Sequence, residues 1–256
     1  DTGEIEAALK NKIPRDLIRH EALRGDLHVH STYSDGNDSI EAMVAEAQRL
    51  GYEYVAITDH SPSLRVAHGL SVARLKEKRA EIEKLQKKYT IRILFGTEVD
   101  ILLDGSIDYP DSVLKEFDVV VASVHSHFGR NNTDRLVRAM KNPYVHIVGH
   151  PSGRLIGKRN PYEVDYDMIF EAARDTGTAI EINSQHARLD LQDIYMRQAK
   201  KWGVKFAINS DAHTTESLWL THLGCGWARR GWIQEKEVIN TFSPKDLLAF
   251  FSQKRR

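Results

Sequence analysis

From residue 26 onward, short apolar runs alternate with longer segments whose apolar residues recur every three or four positions. The first run, 26 to 30, reads as a strand. A helix opens at Ser39, places Ile40, Met43, Val44, Ala47 and Leu50 on one face and stops at Gly51. The unit then repeats. A strand at 54 to 58 leads to a helix at 71 to 88 that is strongly charged on its outer face. A strand at 91 to 98 follows, then a strand at 119 to 124 and a helix near 134 to 140. Strand 145 to 149, helix 167 to 175, strand 179 to 183, helix 190 to 202 and strand 204 to 209 complete the pattern. Most of these seven strands are uniformly apolar, as expected of a parallel sheet covered on its outer side. Residues 1 to 24 carry a helical stretch around Ile5 to Leu9, then Ile13-Pro14 and a second periodic run from 17 to 23. They read as a lead-in segment to one domain spanning 25 to 256, and no internal repeat, low-complexity tract or linker interrupts it.

The length of 256 residues suits a single barrel-like α/β domain. Lysines plus arginines equal aspartates plus glutamates at 36 each, so the overall field of the chain attracts no polyanion, although a local basic rim remains open. The single cysteine, Cys225, excludes an intramolecular disulfide framework and a cysteine-rich zinc module; it fits a reducing cytoplasm and reads as a packing residue. No run approaches the roughly 18 apolar residues of a membrane span, and the N-terminus lacks a signal-peptide layout. The expectation is a soluble protein with no membrane partner.

The polar residues choose between an open sheet and a closed barrel. Barrels collect their chemistry at the C-terminal ends of many strands, whereas an open sheet uses mainly one switch point. Windows just past the seven strand ends should hold about two of the twelve histidines by chance. Eight fall there: His28, His30, His60, His125, His127, His150, His186 and His213. The fold predicted is therefore a distorted, seven-stranded TIM-like barrel with a histidine-rich mouth.

His28 and His30 are two apart on a strand and project from the same face, with Asp35 in the following turn. Alone, an H-x-H pair is equally compatible with hydrogen-bonded core histidines. What favours metal is the recurrence at later strand ends of His60, Glu98, His125, His150, Asp211 and His213. Neutral imidazoles and anionic carboxylates together suit zinc, manganese or iron. These six histidines and three carboxylates are too many for one ion; divided over three divalent ions they leave open positions for water and substrate, and the mouth becomes positive enough to attract phosphate.

In this order, DLHVHSTYSDG, ITDHS, GTEVDI, SVHSHF, GHPSGR and INSDAH resemble the motifs of the polymerase and histidinol phosphatase (PHP) superfamily, across nearly the whole chain. The segments TGEIEAA, RGDLHVHSTYSDG, GHPSGRLI, EINSQHARLDL and WARRGWI further resemble the C-terminal PHP domain of bacterial and archaeal family X DNA polymerases. The resemblance implies a trinuclear site. His28, His30, Asp211 and Glu98 would hold a first ion, Glu98 would bridge to a second held by His125 and His150, and Asp35, His60 and His213 would hold a third. No expected ligand is missing, which argues against an inactive scaffold. Asp26 and Asp59, beside ligating histidines, read as orienting or strand-end residues. The resemblance also implies phosphoester hydrolysis by metal-activated water, with no serine or cysteine nucleophile.

For substrate, the leading expectation is DNA at its 3′ ends: a 3′-to-5′ exonuclease, with 3′-end processing and abasic-site incision, in repair or proofreading beside a family X polymerase region in the same chain or in trans. The alternative is a small-molecule phosphatase of the histidinol-phosphate or nucleotide type. An amidohydrolase also starts with H-x-H, but it gives no reason for Glu98 or for Asp35, His60 and His213, and no lysine sits at a strand end. His68 reads as a loop residue over the site, there for loop packing or substrate contact, and His127 and His186 as solvent-facing or substrate-contacting mouth residues outside the ligand set. The sequence around His186 departs from the small-Pro-Trp pattern associated with the polymerase family. Arg154, Lys158, Arg159, Arg188, Arg229 and Arg230 are candidates for a basic rim on phosphates, with Arg188 and the pair Arg229-Arg230 as substrate-binding candidates. His20, His146 and His222 read as structural or exposed, and Lys254-Arg255-Arg256 as a frayed end.

Overall fold

The computed structural model describes residues 3–254. Seven parallel strands, β1 (Gly25–Val29), β2 (Tyr54–Ile57), β3 (Arg92–Asp100), β4 (Val119–Ser123), β5 (Ile147–Val148), β6 (Ala179–Asn183) and β7 (Phe206–Asn209), lie side by side in sequence order. The sheet closes almost completely. Between β7 and β1 the ladder is reduced to a bridge at Val29 and Ala212, where the His30 amide donates to the Ala212 carbonyl at 2.8 Å. The remaining gap is stitched by Asn240. Its side-chain amide donates to the Gly25 and Ile208 carbonyls at 3.0 Å each and to Asn209 Oδ1 at 3.2 Å, while its Oδ1 accepts from the Ile208 amide at 2.8 Å.

Helices α1 (Glu4–Leu9), α2 (Ile40–Arg49), α3 (Val72–Gln86), α4 (Asp111–Leu114), α5 (Thr133–Met140), α6 (Tyr166–Thr176), α7 (Asp193–Lys201), α8 (Thr221–Arg230) and α9 (Pro244–Lys254) complete the chain. Ser39, Ser71 and Asp165 accept amide hydrogens from the first turns of α2, α3 and α6, so these helices start where capping side chains satisfy otherwise orphaned donors. The apolar residues form two layers. Val55, Ile93, Val120, Val148, Ile180 and Ile208 face outward against the helices, whereas Leu94, Val119, Val121, Ile147, Ala179 and Ala207 fill the barrel. Alternation places Glu98, Ser123, Glu181 and Asn209 on the same inward face further along these strands, so the interior changes from apolar to polar toward the C-terminal ends.

The elements expected from the alternation are present within a few residues. Three features differ. The periodic run at 17 to 23 is only a short 3-10 turn, His20–Ala22; Ile18 is buried and pairs with Ile233, so the lead-in docks on the segment after α8. Helices α8 and α9 extend past the last element predicted. Leu247 and Phe251 of α9 join the interior cluster, and Phe251 stacks on the buried His146 with ring centroids 4.4 Å apart. Lys254 is consequently tied down rather than frayed: its ammonium donates to the Met140 carbonyl at 2.8 Å and to Thr178. Arg255 and Arg256 lie outside the described residues. Among the described residues no helix is long and apolar enough to cross a membrane.

Candidate metal centre

The strand ends converge on Glu98, which is 1 % exposed. His28 and His30 extend from β1, His60 follows β2, His125 follows β4, His150 follows β5, and Asp211 and His213 follow β7. Glu98 Oε2 lies 3.3 Å from His28 Nε2, 3.5 Å from His30 Nε2 and 3.0 Å from His60 Nδ1. Its other oxygen lies 3.3 Å from His125 Nε2 and 2.9 Å from His150 Nε2. Asp211 Oδ1 sits 3.6 Å and 3.3 Å from the Nε2 atoms of His28 and His30. A third group surrounds Asp35, whose Oδ2 is 3.5 Å from His60 Nε2 and 3.4 Å from His213 Nε2, with His30 Nδ1 at 3.6 Å from Oδ1. All nine residues singled out in the sequence thus meet in one cluster, and His60 turns one ring nitrogen to Glu98 and the other to Asp35.

Local backbone makes this convergence possible. A Cβ at Gly149 would stand 2.3 Å from Ser123 Oγ and 2.8 Å from Val121 Cγ1, so only glycine lets β5 approach β4 just before His150. His150 and Asp211 both adopt positive φ, 25° and 53°, a region that non-glycine residues occupy rarely and that concentrates at functional sites.

Burial works against every charge here, and neighbours decide which survive. His28, His60 and His125 overcome the burial of Glu98 and hold its carboxyl well below the usual range; His28 and His30 do the same for Asp211. Burial, with His213 and His60 nearby, pushes His30 down to about 4; burial and Arg188 do the same to His150, leaving both imidazoles neutral. His28 is raised well above its usual value because Glu181, Glu98 and Asp211 outweigh its burial. His125 rises to about 9 against its burial through Glu98 and Asp100, and His213 to about 9 through Asp35 and Asp211.

The donor set fits divalent ions. His28 Nε2, both ring nitrogens of His30, His60 Nδ1 and His150 Nδ1 are buried with no hydrogen-bond partner, a costly arrangement for apolar packing but one natural for metal ligands. Three sets of donor atoms lie within coordinating reach of one another: His30, Asp35, His60 and His213; His28, His30 and Glu98; and His60, Glu98 and His125.

Of the two readings of Asp26 and Asp59, orienting or strand-end, the contacts match the strand-end one. Asp26 and Asp59 touch no imidazole hydrogen. Asp26 accepts from the amides of His28 and Ser210. Asp59 accepts from the Ser31 amide at 2.8 Å and from the hydroxyls of Ser31 and Ser34, and pairs at 2.9 Å with the wholly buried Lys78 of α3, fixing the turn that carries Asp35. The groups that contact ligand rings are Glu181, 2.7 Å from His28 Nδ1, and Asp100, beside His125 Nδ1. Neither was foreseen, although Glu181 left a signal: an acid in the middle of the apolar strand AIEIN.

Of the rim candidates, Arg188 reaches the cluster, with Nε 3.6 Å from Asp211 Oδ2 and a buried Nη1 that has no partner. His68, His127 and His186 are exposed. Arg154 donates to the carbonyls of Arg188 and Leu189, bracing that loop, and Arg159 donates to the Gly153 carbonyl and lies over the Phe128 ring. Lys158 is exposed. Arg229 and Arg230 are engaged elsewhere: Arg229 donates to the Ile18 carbonyl, and Arg230 pairs with Asp193 at 3.1 Å. His20 and His222 stack on each other with ring centroids 3.3 Å apart.

Residues 26–185 match the PHP domain family model, which is more than half of the chain. The chain belongs to the PHP family. This PHP domain is 46% identical to the DNA polymerase/3′-5′ exonuclease PolX of Bacillus subtilis over 93% of its own length, and it spans 42% of that protein. It is 31% identical to a probable phosphatase of Thermoanaerobacter sp. (strain X514), covering 90% of this chain and 95% of that protein. The crystal structure of histidinol phosphate phosphatase from Lactococcus lactis, complexed with zinc, L-histidinol and phosphate, superposes with a TM-score of 0.61 at 19% identity, over 82% of this chain and 94% of that one, a likeness of fold. As a PHP domain the chain is a hydrolase, a metal-dependent phosphoesterase.

Proposed function

We propose that this domain hydrolyses DNA phosphodiesters from the 3′ end, as a 3′-to-5′ exonuclease that also processes blocked 3′ ends and incises abasic sites. The observation that carries this reading is the 46% identity to a DNA polymerase/3′-5′ exonuclease over 93% of the chain, against 31% to the probable phosphatase. The same likeness supports a working partnership with a family X polymerase region, in the same chain or in trans. Three divalent ions, of zinc, manganese or iron, fit the nine donors: one with His28, His30, Glu98 and Asp211, one with Glu98, His125 and His150, and one with Asp35, His60 and His213. Such ions supply Lewis-acid activation of water and neutralise phosphate charge. The protein's own part is positioning. Glu98 presents one oxygen to each side of the centre. Asp211 holds Arg188 with a buried guanidinium N–H left unpaired, a donor suited to a phosphate oxygen. Of the exposed histidines His68, His127 and His186, His68 is the one proposed to contact substrate.

A phosphomonoesterase acting on histidinol phosphate or a nucleotide is the second reading, supported by the fold of the Lactococcus lactis enzyme and by the probable phosphatases. Incubating 5′-labelled primed DNA, with a 3′-hydroxyl or a 3′-phosphate, with manganese distinguishes the two. A ladder of shortened products, absent with Asp211→Ala, is expected. Removal of only the terminal phosphate, with faster turnover of free phosphomonoesters, would replace the nuclease reading with the second.

A further inference from the structure

Glu181 lies in the middle of β6, wholly buried beneath the cluster, and two donors converge on each of its oxygens. Oε1 faces His28 Nδ1 at 2.7 Å and the Asn209 side-chain amide at 2.8 Å. Oε2 accepts from the His150 backbone amide at 2.6 Å and from the Asn183 side-chain amide at 3.0 Å. An ionised carboxylate accepts four hydrogen bonds and donates none, so this environment is complementary to the anion and to nothing else of the same shape. Glutamine would bring one acceptor oxygen and an amide that confronts two donors, leaving buried groups unsatisfied.

The acceptor-only partner also decides where the imidazole proton sits. With Nδ1 donating to Glu181, Nε2 is the nitrogen that would bind an ion; it is buried without a hydrogen-bond partner and faces Glu98 and Asp211 at 3.3 and 3.6 Å. The other oxygen fixes the backbone of His150, whose strained φ aims its ring at Glu98 from the opposite side. A single carboxylate therefore orients one ligand on each side of Glu98.

We infer that Glu181 is a positioning residue that sets the tautomer of His28 and the backbone of His150 together, and so couples the affinities of the two ions that share Glu98. This rests on the reading of the cluster as a metal centre. Its counterpart on the far side, Asp100, contacts only the His125 ring among the histidines and should act on one ion alone.

The test is zinc titration of the full chain by calorimetry, with bound zinc counted after dialysis, for wild type, Glu181→Gln and Asp100→Asn, alongside nitrogen-15 histidine NMR of the zinc-loaded wild type. Two zinc equivalents should weaken about 10–100-fold in Glu181→Gln, and one in Asp100→Asn. The NMR spectrum should show a protonated, hydrogen-bonded Nδ1 on His28. Wild-type affinities in a folded Glu181→Gln variant overturn the inference, as does a His28 that is deprotonated at Nδ1, a result that stands even if the variant does not fold. Failure of the wild type to bind any zinc overturns the metal centre itself and this inference with it.

Discussion

At the scale of the residue, the site depends on imidazoles whose protonation is set by their surroundings rather than by intrinsic basicity. The nine donors were legible because ligand-type residues recur at strand ends, a spacing that core packing does not require. Glu181 and Asp100 were not, because a supporting carboxylate is recognised by what it touches: the acid in AIEIN marks Glu181 as unusual, but its contact with His28 spans 153 positions and that of Asp100 with His125 spans 25. Arg188 carries the clearest substrate prediction. Arg188→Ala should raise KM about tenfold to a hundredfold, the worth of one charge-assisted hydrogen bond of about 1.5–3 kcal/mol, with kcat changing less; steady-state kinetics on DNA check this. Outside the ligand set, burial and the stacked His222 hold His20 down to about 4 from 6.5. The unfolded chain thus takes up the proton more readily, so this stabilising contribution is full above pH 6.5 and is lost as the pH falls toward 4. Thermal melts of chelator-treated protein across that window should show a shallower acid decline in His20→Gln than in wild type; equal slopes would contradict the assignment.

At the scale of the element, the seven strands and most outer helices followed from periodicity, since each buries a stripe or a run visible within one window. The two C-terminal helices escaped for different reasons. In α8, Gly224 and Gly226 interrupt the helical pattern, and Gly224 is needed because a Cβ there would stand 2.0 Å from Ser184 Oγ. In α9, Leu247 and Phe251 do form a stripe, but nothing local tells that the helix closes the barrel interior and does not join its outer wall. This closure has a measurable consequence. Phe251→Ala removes a buried ring from the interior cluster and should cost about 3–5 kcal/mol, lowering Tm by roughly 6–20 °C, as differential scanning calorimetry would register. A shift below about 2 °C would mean that α9 contributes little to the core.

At the scale of the whole molecule, a chain of zero net charge places its ionisable groups unevenly, concentrating histidines and carboxylates at one end of a nearly closed barrel. The apolar floor gives rigidity, the polar ceiling gives chemistry, and the 7-to-1 seam held by Asn240 keeps the His28 and Asp211 sides of the site in register. Because the donors exist as a set only in the folded barrel, ion binding and folding are linked. Chelation should therefore lower Tm by about 5–10 °C, with recovery on adding manganese or zinc, as expected for a ligand at about a hundred times its dissociation constant. The most direct test of the account is anomalous X-ray scattering from crystals grown with manganese or zinc, which counts the ions and places them. The account predicts three peaks: one among His28, His30, Glu98 and Asp211, one among Glu98, His125 and His150, and one among Asp35, His60 and His213. A single ion, or none within this cluster, would contradict it.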